Sequence, residues 1–123
     1  MSLMKIRLEL ARNAEFPEGS RAHGYEFIAP LTEGGHLDRD AWHHEREACR
    51  VHRFWHGQDD EYGQLVHHRG ERWAFHYDHM KEQDEEPIFR FDRHWFVPGE
   101  YVSVTEHDGV QRTFLVTEVI PAD

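Results

Sequence analysis

Histidine is the first residue type in this chain with chemical reach: there are 12 of them among 123 residues. A neutral imidazole binds divalent metals, and its charge changes close to neutral pH. His52 and His56 are spaced to project from one face of an extended segment. His76 and His79 flank Asp78, and His43-His44 and His67-His68 are adjacent pairs. Three or four such groups converging within about 2 Å of a common point would hold Zn²⁺ or Ni²⁺. The candidate ligands are therefore His52, His56, His67, His76, Asp78 and His79. Their spacing is not diagnostic, because the chain has no His-Glu-x-x-His, no Cys-x-x-Cys and no His-x-His. Histidines interleaved with charge also read as a solvated surface, which is the plainer reading.

A nucleophile is harder to find. Ser20 and Ser103 are the serines beyond the first residues, and neither lies in a nucleophile-elbow pattern. Cys49 falls at the end of a helical pattern, where the dipole disfavours a thiolate, and reads as buried and inert. Carboxylates are so numerous that pairs of them mean little; Glu26 beside Phe27 and Asp92 near Trp95 are candidate buried acids. Gly34-Gly35 lacks the Lys-Ser/Thr ending of a phosphate loop. No catalytic residue and no organic cofactor emerges.

The rings carry a second kind of chemistry. Four Trp, four Tyr and eight Phe must supply much of the core, because aliphatic residues are sparse. Arg53-Phe54-Trp55 and Arg93-His94-Trp95 set cations beside indoles, which suits a contact surface. Trp55 and Trp95 are the candidate partner-binding residues.

The elements that must position these groups are mostly strands. Ile6, Leu8 and Leu10 alternate with Arg7 and Glu9, a half-buried strand over 5–11. The stretch from Asn13 to Gly24 reads as loop, and Tyr25 to Ala29 as a strand stopped by Pro30. Leu37 to Ala48 has helical spacing, with Asp38 placed to cap it. Val51 to Trp55, Tyr62 to His68 and Arg72 to Asp78 read as strands, the last two joined through Arg69-Gly70-Glu71. Lys81 to Pro87 reads as an exposed loop, and Phe89 to Phe91 as a short strand. Tyr101 to Thr105 and Val110 to Ile120 flank Asp108-Gly109, a strong hairpin signal. In the return strand Phe114, Val116 and Glu118 share one face. The expected fold is mainly β: a small antiparallel barrel, or a two-sheet sandwich, with one short helix.

The chain suits one domain, read as 4–123, with Met1 to Leu3 taken as an addition ahead of a natural start at Met4. A net charge of −10, with runs such as Asp59-Asp60-Glu61, repels phosphate backbones, so nucleic acid and anionic membrane are poor partners. No apolar run approaches the roughly 20 residues of a membrane span. One cysteine permits no internal disulfide and fits a reducing compartment, so a cytoplasmic location is expected.

Met4 to Arg12, the Arg53-Phe54-Trp55 element and Pro98-Gly99-Glu100-Tyr101-Val102-Ser103 together resemble a family of small uncharacterised bacterial proteins of about this length. That resemblance carries no activity and no site residues. The C-terminal Pro-Gly-Glu-x-Val strand and its Asp-Gly hairpin are also similar to small barrels of the PRC-barrel group, which implies an assembly or docking role. The leading expectation is a non-enzymatic module that binds a protein partner or itself. A histidine-rich metal-binding protein or metal-dependent enzyme is the alternative. A barrel with a ligand-filled interior is disfavoured by the bulky rings.

Overall fold

The alternation of Ile6, Leu8 and Leu10 against charged neighbours fixes which face of the first strand turns inward, and the rest of the sheet curls around it. In the computed structural model, which describes residues 3–69, 72–78, 86–89 (backbone only), 95–106 and 108–122, the fold is mainly β. The strands are β1 (Leu3–Leu10), β2 (Ser20–Pro30), β3 (Arg50–Trp55), β4 (Glu61–His68), β5 (Arg72–Tyr77), β6 (Glu86–Phe89), β7 (Tyr101–Thr105) and β8 (Gln111–Pro121). Each pairs antiparallel with the next, and β8 returns to β1, closing a barrel in simple meander order. A short helix, α1 (Arg39–Glu45), and one 3₁₀ turn (Arg46–Ala48) join β2 to β3.

Closure explains the aromatic composition. An eight-stranded barrel leaves an interior just wide enough for side chains to fill. Here Tyr25, Phe27, Phe75, Tyr77, Phe96 and Phe114 are fully buried, wedged among Ile6, Leu8 and Leu65. Tyr25 lies 5.1 Å from both Phe75 and Phe114, and Phe27 lies 5.3 Å from Phe75, all in tilted or edge-on contacts. The helix covers one end. Asp38 caps it, its Oδ1 accepting from Ala41 N at 3.0 Å. Trp42 then packs edge-on to Trp73 and donates its indole N–H to the Leu65 carbonyl at 3.0 Å.

The expected barrel forms, and four finer sequence expectations change. The sheet closes as a barrel, so the sandwich is excluded. β2 starts at Ser20 rather than Tyr25, because His23 and Gly24 already pair with Trp55 and Phe54. The helix proper stops at Glu45 and tightens into the 3₁₀ turn. Glu86 and Pro87 belong to β6, with Pro87 opposite Ala74; residues 81–85, 90 and 91 lie outside the described residues. In β8 a register shift opposite Arg7/Leu8 turns Val119, not Glu118, to the face shared with Val116 and Ile6.

Gly63 shows how closely the wall is packed. It sits at the β3–β4–β5 crossing, where a Cβ would lie 2.2 Å from the His76 carbonyl oxygen and 2.6 Å from Tyr77 Cα. Both obstacles are backbone, so the wall itself must move. Gly63→Ala should cost about 2–3 kcal/mol, read as a lowered urea midpoint at an unchanged slope.

Candidate functional site

The barrel end opposite the helix is built from charge. Arg53, at an inward position of β3, is 4% exposed, and Glu106, just after β7, is also 4% exposed. An isolated buried charge is costly, so each must be paired. Glu106 Oε1 accepts from Tyr25 Oη at 2.8 Å and from Arg53 Nη2 at 3.3 Å, while Oε2 accepts from Arg112 Nη1 at 2.6 Å. Arg53 also donates to Gln58 and Glu61, both at 3.3 Å, and Arg112 reaches Asp108 and Glu15. One carboxylate thus ties β2, β3 and β8 together at the rim.

Trp55 lies inside this network. The Arg53 guanidinium sits 4.4 Å from its ring, that of Arg112 5.7 Å, and His23 meets it edge-on at 4.6 Å. His23 is 7% exposed, with the Phe16 ring also 4.6 Å from it. Burial, reinforced by His56 and Arg53, holds its imidazole below the usual histidine range against the opposing pull of Glu106. Its Nδ1 is hydrogen-bonded to Ser20 Oγ. That pair arises from an irregularity: β1 partners jump from Gly24 opposite Glu9 to Ser20 opposite Leu10, and the extra residues curl Ser20 back onto His23. Ser20 lies in no elbow motif, so its role is inconspicuous in the sequence. Its spacing of three from a histidine, next to a glycine-bearing turn, was the available signal.

Ser20 also borders a groove, an open trough of about 1020 Å³ on the outer wall. Its sides are the turn from Glu18 to Arg21 and the segment from Leu10 to Arg12; Tyr101, Thr113, Leu115 and Thr117 complete it.

The metal candidates spread around the molecule. His52 faces outward, its Nε2 on Asp60 at 2.8 Å and its ring stacked on Tyr62. His56 lies in the turn after β3, its ring 6.3 Å from that of His23. His67 packs at the helix-covered end against Trp73 and Trp42. His76 stands opposite Gln64 on the outer wall, and Asp78 is paired with Arg50 at 2.7 Å. His79 lies outside the described residues, as does Asp92. Among the described residues no group of three or more His, Cys, Asp or Glu is placed to hold a metal ion. Glu26 is half-buried on the outer face, bound by Arg7 at 3.1 Å and Lys5 at 3.2 Å.

The two tryptophan candidates differ. Trp55 is half-buried in the rim network, whereas Trp95 is 55% exposed, with the His36 ring edge-on at 5.8 Å. Val97 beside it is exposed too and borders Gly35.

No protein-family model matches the chain, and comparison with curated proteins and with solved structures gives no match either. The functional reading therefore rests on geometry.

Glu106→Ala should cost about 3–5 kcal/mol, because it removes the buried carboxylate that two guanidiniums and a phenol share at the barrel rim. Asp78→Ala, which breaks an exposed pair, should cost less than about 1 kcal/mol; denaturant titration of both variants checks the contrast. Cys49 is fully buried, and burial, with Glu45 adding to it, pushes its thiol up to about 12. A disulfide reagent at pH 8 should therefore leave folded protein unlabelled and react only on unfolding.

Proposed function

We propose that this chain is a docking module that engages a protein surface, another copy or a different chain, through Trp95 and its surroundings. The observation that carries the reading is the unequal burial of the tryptophans. Trp42 and Trp73 are 5% and 4% exposed, while Trp95 leaves more than half of its surface in water. An exposed indole is costly to leave solvated and is among the side chains most often found at the energetic centre of an interface. Val97, two residues along, is exposed as well, and the His36 ring meets that of Trp95 edge-on.

Two further observations support it. The barrel interior is occupied by rings, so recognition falls to the outer surface. The net charge of −10 favours a basic partner face by long-range attraction. A docking role is also what the similarity of the C-terminal hairpin to small assembly barrels implies. No helix among the described residues is long and apolar enough to cross a membrane.

Trp95→Ala should weaken self-association or partner retention at least tenfold, while the unfolding free energy stays within about 0.5 kcal/mol of the parent. Sedimentation velocity over a concentration series, with side-by-side retention of partners on immobilised protein, reads the effect. Complexes unchanged in both measurements would overturn the reading.

A further inference from the structure

We propose that Ser20 is an acyl-accepting nucleophile, that His23 is its general base, and that the adjoining groove takes small carboxylic esters. The proposal is independent of docking through Trp95. It starts from the hydrogen bond between Ser20 Oγ and His23 Nδ1, the contact that nucleophile and base must make before proton transfer.

Three features turn that contact into a site. The first is rigidity: Phe16 and Trp55 each lie 4.6 Å from the His23 ring, so packing orients the imidazole. The second is the protonation state. His56, Arg53 and Glu106 are the charged or titratable groups acting on His23, and the balance of burial, His56 and Arg53 against Glu106 keeps it neutral at physiological pH, able to accept a proton. The third is access. Ser20 is half-buried and borders the groove, whose volume of about 1020 Å³ admits a small ester. Arg12 and Arg21 are the two cations lining it. They favour an ester that carries an anionic group and can meet the negative charge that develops on the carbonyl oxygen. Glu9 on the same wall is engaged by Arg7 at 2.7 Å, and Glu18 is exposed. The Ala22 N–H donates to Ser20 Oγ at 3.1 Å, holding the oxygen in place while a lone pair remains for attack.

The chemistry balances. Ser20 Oγ bonds to the ester carbonyl carbon as its proton passes to His23 Nδ1, and the carbonyl electron pair moves to oxygen. Collapse of this intermediate breaks the bond to the alkoxy group, which leaves with the proton from His23. Water then attacks the acyl-Ser20 carbonyl with His23 again taking the proton. The carboxylic acid departs and the serine is restored.

The test uses the full chain, tag-free so that no added histidines hydrolyse the substrate. A fluorophosphonate probe is applied and the adduct is mapped by peptide mass spectrometry; p-nitrophenyl acetate hydrolysis is followed from pH 4.5 to 8.5. The expected result is a single adduct on Ser20 and hydrolysis at least tenfold faster than in Ser20→Ala of matching circular dichroism. The rate should rise with pH and level off, because only the neutral imidazole is a base, with a midpoint below the ordinary histidine value. Unlabelled Ser20, an adduct elsewhere, or equal hydrolysis by Ser20→Ala would overturn the nucleophile. A midpoint at or above the ordinary value would overturn His23 as its base. Adduct mapping needs no variant, so the proposal is exposed to failure even if a substitution disturbs the fold.

Discussion

The pairing of β8 with β1 converts a meander of strands into a closed wall, and closure limits the volume inside. Eight strands enclose only what their inward side chains can fill. In a chain poor in aliphatic residues that filling comes from Tyr25, Phe27, Phe75, Tyr77 and Phe114, with Phe96 added from the segment before β7. Once the rings occupy the interior, every group able to meet another molecule lies at a rim or on the outer wall. The barrel is therefore a scaffold whose chemistry is peripheral.

The two ends solve the problem of exposed core in opposite ways. At one end α1 lays Trp42 over Trp73 and satisfies the indole N–H on the Leu65 carbonyl. At the other, the core gives way to a buried carboxylate that two guanidiniums and a phenol satisfy completely. Replacing such a set with apolar residues of similar volume is often neutral for stability. Its value lies in geometry, since Glu106 holds Arg53 and Arg112, whose guanidiniums both lie over the ring of Trp55, against which His23 rests.

What could be read in advance follows from where periodicity survives. β1, α1 with its Asp38 cap and the Asp108-Gly109 hairpin were legible, because alternation, a capping carboxylate and a glycine at φ 79° are local signals. The β6 strand was not: Pro87 in a charged stretch reads as loop, and its membership is decided by Ala74 on the neighbouring strand. Arg53 was read as surface because a lone arginine in sequence does not disclose the carboxylate waiting beyond β7. The outer-wall groove and the Ser20–His23 contact depend on an irregular register between β1 and β2, which no pattern in either strand encodes. Trp95 was singled out from its cationic neighbours, and its exposure came from the fold alone.

Closure also has a temporal side. Ile6 finds Val119 and Leu8 finds Val116, so the wall is sealed by contacts between opposite ends of the sequence. Loop entropy makes such distant pairings slow relative to the intervening hairpins, each of which can form from neighbours. During synthesis, β1 must therefore wait with its β8-facing edge unpaired until almost the whole chain has emerged. For that interval it is an open template for another strand, and Arg7 and Glu9, alternating along it, are the charges that discourage a wrong match.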